Sequence, residues 1–273
     1  MNHSSPSAWT FEVREPLRFA LDVSGLDPGA SSSGAEVLST IVHQGRERVP
    51  LGDLVRVNSS CDGIQRWTGH LEQVDGIGAG NRGRRIEVLG SPRNRIGAGM
   101  SAGSLRIDGS VGDDLGSELS GGTVVVTGSA GARAGGFSPG SRQGMKGGVI
   151  LVGGNAGPEA GQKMRRGLIA IRGRAAAGAA NSMIAGTLIA GELSGPFGLG
   201  LKRGTIICQR HPRIPAWFGP AIGVELSFTQ LLAKFLSTHD QHGWFSFLSQ
   251  ATWLRAQGDR IERNQGELLV ASE

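Results

Sequence analysis

The chain has 273 residues, room for one large domain or two ordinary ones, and a formal charge of +5. Its 46 glycines follow no strict three-residue period, which excludes collagen, and they punctuate regular Val/Ile/Leu runs, which argues against a disordered chain. Two cysteines far apart, Cys61 and Cys208, cannot build a disulfide framework or a cysteine-based metal motif.

Taken in chain order, the opening "MNHSSPSAWTFEVREP" has no apolar signal core, so a soluble cytoplasmic chain is expected. Residues 1–62 form an N-terminal capping segment. Within it "FEV" and "LRFALDV" alternate as strands, "AEVLSTIVHQ" suits a short helix, and "VPLGDLVRV" leads into the glycine-rich body. From there glycines recur at Gly63, Gly83, Gly103, Gly122, Gly148, Gly167, Gly186 and Gly204, about every 19 residues. One interval is longer, because "GGFSPGSRQ" looks inserted at a corner. A fixed period of this length is the mark of a solenoid.

Each unit begins with glycine and then alternates aliphatic residues: Leu105 and Ile107, Val124 and Val126, Ile150 and Val152, Ile169 and Ile171. Alternation of period two puts each pair on one face of a short strand. Such a strand cannot bury that face alone, but stacked coils form a continuous inner column. The expected fold is therefore all-β: a right-handed parallel β-helix of ~19-residue coils spanning 63–212. Glycine supplies the corners, where positive φ or close backbone approach is needed. A helical reading fails, since glycine every few residues costs ~1 kcal/mol each. The uncharged "AAAGAANSMIAGTLIAG" is shorter than the ~20 residues of a membrane span.

Residues 213–273 are the C-terminal cap or partner-contact segment, partly helical. "SFTQLLAKFLSTHD" places Phe228, Leu231, Leu232, Phe235 and Leu236 on one helical face. "GWFSFLSQATWL" does likewise with Trp244, Phe247, Leu248, Ala251 and Leu254. Eight of the chain's 14 aromatic residues lie beyond 213, to pack on the last coil or on another protein.

Catalytic patterns are scarce. His239 and His242 form an H-x-x-H with only Asp240 nearby, which reads as the polar end of a helix. Asp113 and Asp114 read as solvated turn acids, Cys208 as a buried thiol, and "GPFGLG" lacks the strand-then-helix context of a dinucleotide site. Neither catalytic nor metal-ligating residues are assigned. The charge distribution says more: residues 63–210 hold 18 Lys/Arg against 9 Asp/Glu, while both ends are mildly acidic. Arg82, Lys146, Arg165, Arg166, Lys202 and Arg203 each stand just before a coil restarts. Stacking at that register predicts an intermittent basic stripe able to concentrate a polyanion. Few aromatics interleave with it, which disfavours nucleic acid.

The glycine-punctuated coils resemble the GXXGXXXG β-helical domain that glutamate synthase shares with the glycine-rich subunit of formylmethanofuran dehydrogenase. "VPLGDLVRV" ahead of the coils and the closing "GDRIERNQGELLV" resemble the dehydrogenase subunit, and the resemblance covers nearly the whole chain. It implies a non-catalytic subunit, either of a molybdenum or tungsten dehydrogenase or of the formyltransferase/hydrolase complex of methylotrophs. The arginine-heavy composition favours the second. There a formyl group passes from formyl-tetrahydromethanopterin to a methanofuran-type carrier and leaves as formate. The implied partners are formyltransferase, amidohydrolase-like and dehydrogenase-like subunits. The implied ligand of the six basic residues is the carrier's oligoglutamate tail, with no covalently bound cofactor and no membrane contact. A stand-alone basic scaffold remains the rival reading.

Overall fold

The computed structural model describes residues 8–26, 32–138, 140–240, 242–249, 252–260 and 265–272. The first seven residues of the opening, Pro139 of the insertion, Ala251 of the second apolar face, and 261–264 of the closing stretch lie outside the described residues. The chain opens with β1 (Ala8–Val13), β2 (Leu21–Asp22), α1 (Gly34–Leu38), β3 (Ile41–Gln44), β4 (Glu47–Pro50) and β5 (Val55–Ser60). The glycine-rich body carries β6 (Ile64–Gly69), β7 (Val74–Asp75), β8 (Arg82–Leu89), β9 (Ala102–Asp108), β10 (Thr123–Val126), β11 (Val149–Val152), β12 (Leu168–Ala175), β13 (Thr187–Leu193) and β14 (Thr205–Cys208). The C-terminal part adds β15 (Ile222–Val224), α2 (Phe228–Ser237), β16 (Thr252–Gly258) and β17 (Gly266–Ser272).

The protein is mostly β, built on one 13-stranded sheet that runs from β5 and β1 through the body strands to β17, β16 and β15. Pairing is parallel from β1 to β14 and on to β17, and antiparallel only at the two ends. Leu105, Val124, Ile150 and Ile169 pair directly across consecutive strands, as do Ile107, Val126, Val152 and Ile171. All eight are buried. The columns extend further than the repeat alone predicts. The first runs from Ile86 to Leu188, Ile206 and Leu268, and the second from Phe11 and Trp67 to Ala190, Cys208 and Val270.

One register differs from the spacing of the glycines. Ile64 pairs with Arg85, and Arg85 with Ser104, because β8 shifts register between Arg82 and Arg85. Gly83 therefore sits one residue out of step with the other coil glycines. The stretch read as one helix also divides. A capping box closes α1, with the Ser33 amide donating to Glu36 Oε2 (2.7 Å) and the Glu36 amide to Ser33 Oγ (3.2 Å). The Ser39 and Thr40 hydroxyls then donate back to the Glu36 carbonyl, and the β-branched Ile41 and Val42 continue as β3.

A further wall stacks the loops between strands. The amides of Gly97, Gly116, Gly135 and Gly161 donate to the carbonyls of Ile77, Ile96, Leu115 and Ala134 one coil earlier. Behind it lies a third interior column of Met100, Leu119, Met145, Met164, Met183 and Leu201, all fully buried. Short polar side chains tie the corners together. Ser91, Ser110, Ser129 and Asn155 each accept the backbone amide of the equivalent residue in the next coil. Asp75, Asn94 and Asp113 do the same at another corner.

The ends close differently. At the first coil Phe11 stacks on Trp67 (4.4 Å between centroids), and β2, β3, β4 and β7 form a second small sheet. At the last, Phe218 packs on Phe197 and the Trp217 indole donates to the Phe197 carbonyl. β17, β16 and β15 continue the sheet, while α2 and the residues after it lie along the flank of the stack. Leu236, Phe245, Leu248 and Trp253 cover Val149, Leu151, Leu168, Ala170, Ile189, Ile207 and Leu269, which face outward from β11–β14 and β17. No helix is long and apolar enough to cross a membrane among the described residues.

Candidate functional site

The stripe residues are held by backbone contacts that turn their side chains outward. The amides of Lys146, Arg165 and Lys202 donate to the carbonyls of Leu119, Met145 and Met183 in the preceding coil. All six cations are exposed, and none carries a salt bridge among the described residues. Their spacing is less even than the sequence suggests. Lys146, Arg165 and Arg166 occupy adjacent coils. Ile184 and Ala185 fill the same slots in the next coil, their amides donating to the Met164 carbonyl, and Lys202 and Arg203 resume one coil later. Arg82 pairs with Ala102 across β8 and β9, three coil steps from Gly147, or about 14 Å at the usual strand separation. The stripe is thus five cations at one end of the stack, with Arg82 apart.

A cluster of charges the sequence did not predict lines another corner. Arg95, Asp114, Arg133 and Glu159 share one slot in successive coils, all at positive φ. Non-glycine residues rarely adopt that conformation, and each such position costs of order 1 kcal/mol. The alternating signs compensate. Arg133 donates to both oxygens of Asp114 (2.7 and 2.9 Å) and reaches Asp113, and Arg95 bonds Asp22 at 2.8 Å. Hydrogen bonding to Asp114 raises the Arg133 pKa, although burial opposes it. Burial pushes the Asp22 carboxyl up, yet hydrogen bonds from Ser24 and Arg95 outweigh it and leave the pKa lowered. Asp114 is not the solvated turn acid that adjacency implies, because it is buried against Arg133, whereas Asp113 faces solvent while also accepting the Ala132 amide of the next coil. Spacing could have flagged this ladder, since 95, 114 and 133 are 19 apart.

The inserted loop is anchored from both sides. The Ser138 amide donates to Glu118 Oε1 (3.3 Å), the Gly144 amide to the Lys163 carbonyl, and Lys163 Nζ lies 4.0 Å above the Phe137 ring. Cys208 is buried and donates to the Arg210 carbonyl, and burial raises its thiol pKa to about 12. His239 Nδ1 lies 2.8 Å from Thr238 Oγ1 and 3.2 Å from the Phe235 carbonyl, while His242 stacks on Trp244. His239 directly follows the C-cap of α2, and His242 lies in the turn beyond it, its amide bonded to Asp240. Among the described residues no three His, Cys, Asp or Glu side chains come together as a metal site. A groove of about 550 Å³ beside β15 is lined by Pro220, Ile222, Arg255, Gln257 and Arg260, with no nucleophile beside a base.

These features define a stack of glycine-cornered parallel coils that presents ordered charge on its edges. No protein-family profile matches the chain, and no curated protein matches it. Among solved structures it is similar to a chain in the X-ray crystal structure of the formyltransferase/hydrolase complex (FhcABCD) from Methylorubrum extorquens in complex with methylofuran. The match has a TM-score of 0.86 and 31% sequence identity, and covers 97% of this chain and 100% of that one. The chain belongs to the family of that formyltransferase/hydrolase complex chain.

Proposed function

We propose that this protein is the glycine-rich subunit of a formyltransferase/hydrolase complex, a non-catalytic, right-handed parallel β-helix on which cytoplasmic catalytic subunits assemble. The observation that carries the reading is the likeness along the full length of a chain from such a complex. The fold supports the choice of subunit, since the described chain is one stack of coils with its closing segments. Formyl transfer from formyl-tetrahydromethanopterin to the methanofuran-type carrier, and release of formate, then belong to the formyltransferase, amidohydrolase-like and dehydrogenase-like partners.

In this reading Lys146, Arg165, Arg166, Lys202 and Arg203 guide the carrier's oligoglutamate tail, with Arg82 an outlying member. Carboxylates spaced along a flexible chain suit a row of exposed cations better than a single deep pocket. Each exposed contact contributes only ~0.2–1 kcal/mol, so binding is cumulative and sensitive to salt. Co-expression with the partner subunits tests the assignment. The tagged chain should retain them in stoichiometric amounts through size-exclusion chromatography, and alone it should neither transfer nor hydrolyse a formyl group. Turnover by the isolated chain, or failure to retain any partner, would refute it.

A further inference from the structure

A groove of about 330 Å³ lies at the far ends of β12, β13 and β14, lined by Asn155, Arg172, Arg174, Glu192, Gln209 and Arg210 over a floor of Gly173 and Gly191. It lies across the strands from the stripe, which sits at their near ends. The register aligns Arg174 with Glu192, and the strand pairing continues Glu192 to Arg210. These three positions extend the corner ladder of Ser91, Ser110, Ser129 and Asn155, whose side chains each accept an amide from the next coil. The ladder ends at Arg174. A guanidinium has no acceptor, so Arg174 cannot take the amide of the next coil and the ladder of side chains accepting amides stops there. What replaces the short acceptors is charge.

That charge is unbalanced. Glu192 pairs with Arg210 at 3.3 Å, while Arg172 and Arg174 are exposed and carry no ion pair among the described residues. The floor stays bare for a steric reason: a Cβ on Gly173 would run into Asn155 Oδ1, and one on Gly191 into the Arg172 carbonyl. Two planar donor forks therefore stand two residues apart on one strand above an open glycine floor. β12 shifts register against β13 between Ile171 and Arg174, so the two arginines flank a local break in the ladder. Carboxylates at positions i and i+2 of an extended strand are about 6–7 Å apart, a span that two long, outward arginine side chains can bridge. Glu192 disfavours a compact multiply charged anion in the groove, whereas an extended segment can place its acids on the arginines and leave a neutral residue beside Glu192.

We propose that this groove docks an extended acidic segment of a partner subunit, with acids at alternate positions engaging Arg172 and Arg174. The proposal rests on the reading of this chain as a subunit of a complex. The test is co-purification of the full chain with its partner subunits across 50–500 mM salt, comparing wild type, R172E/R174E and R172K/R174K. The outward arginines make folding of both variants checkable by an unchanged melting curve. The charge-reversed variant should lose at least tenfold in affinity for its partner at low salt. The lysine variant should keep most of that affinity and lose it at a lower salt concentration than wild type. Assembly unchanged by R172E/R174E would overturn the proposal, as would intact assembly with a raised KM for the carrier, which would give the groove to the carrier tail. If the wild type retains no partner, the subunit reading fails first. Binding of a labelled Gly-Glu-Thr-Glu-Thr-Glu-Gly peptide to the full chain then decides the groove separately, and equal binding by wild type and R172E/R174E would overturn it.

Discussion

At the start of a coil, glycine answers two separate demands. Gly167 sits at φ +104, and a Cβ there would come within 2.6 Å of Met145 Cε and 2.9 Å of the Gly148 carbonyl oxygen. Gly186 meets Met164 in the same way. The methionine column fills the interior up to the glycine backbone, so the two residue types specify each other. Gly167→Ala should cost about 2–4 kcal/mol in chemical denaturation. In a double-mutant cycle Met145→Ala should recover only the side-chain part, since the strain at φ and the carbonyl contact remain. The cysteines differ in the same local terms. Cys61 is exposed and should be alkylated by iodoacetamide in the native protein, while Cys208 should react only after unfolding. Because burial raises the Cys208 pKa to about 12, its contribution to stability is complete below the unfolded value near 9. It is lost as pH rises from there through the folded value, because only the unfolded chain releases the proton. Denaturant midpoints of the wild type should therefore fall more steeply over that interval than those of Cys208→Ala.

Strand β10 separates inside from outside within consecutive residues. Val126 is fully buried in an inner column, whereas Val125 is only partly buried and faces the cover along the flank. Val126→Asp should cost several kcal/mol by placing an unpaired charge in a dry column, and Val125→Asp much less, as read from urea midpoints. The basic stripe belongs to this scale as well, because no single cation decides it. Reversing Arg165, Arg166, Lys202 and Arg203 to Glu should raise the KM for a glutamylated carrier in the assembled complex and leave a tailless carrier nearly unaffected. An equal response by both carriers, with assembly intact, would assign that edge to a protein contact instead.

Over the whole molecule, the outer face of the sheet changes character part-way along. In the early coils it carries the charge ladder Arg66, Glu87 and Arg106, with Arg66 reaching Glu87 at 3.3 Å. From Val149 onward the outward residues are mostly apolar, and Val149, Leu151, Leu168, Ala170, Ile189 and Ile207 pack against α2 and the segment after it. Leu236 anchors that cover, while Phe228, Leu231 and Phe235 on the other side of α2 remain exposed. Leu236→Asp should release the cover, costing about 2–5 kcal/mol and increasing dye binding to the exposed sheet, while the coil stack persists in circular dichroism.

The repeat was legible because its physics is local. Alternation sets which side chains of a strand face inward, and a glycine at a fixed interval sets where the backbone turns, so Leu105, Val124, Ile150 and Ile169 could be aligned from the sequence. The switch in "VILV", "LIAI" and "TIIC" from alternating to continuously apolar was also written there. Alternation alone did not use that signal, which fits strands buried on both faces but does not say what buries the second one. That depended on where a segment some 70 residues downstream comes to rest, which no local pattern encodes. For the same reason α2 divides the five apolar residues read as one face: Leu236 is buried, Leu232 partly so, and the other three are exposed. The basic positions were visible before each glycine, but their neighbours along the stack were fixed only by the β8 register shift and the inserted loop. The groove at Arg172 and Arg174 likewise exists only once Gly191, Glu192 and Arg210 are stacked beside them, since its floor and its acid come from separate coils held at the strand separation.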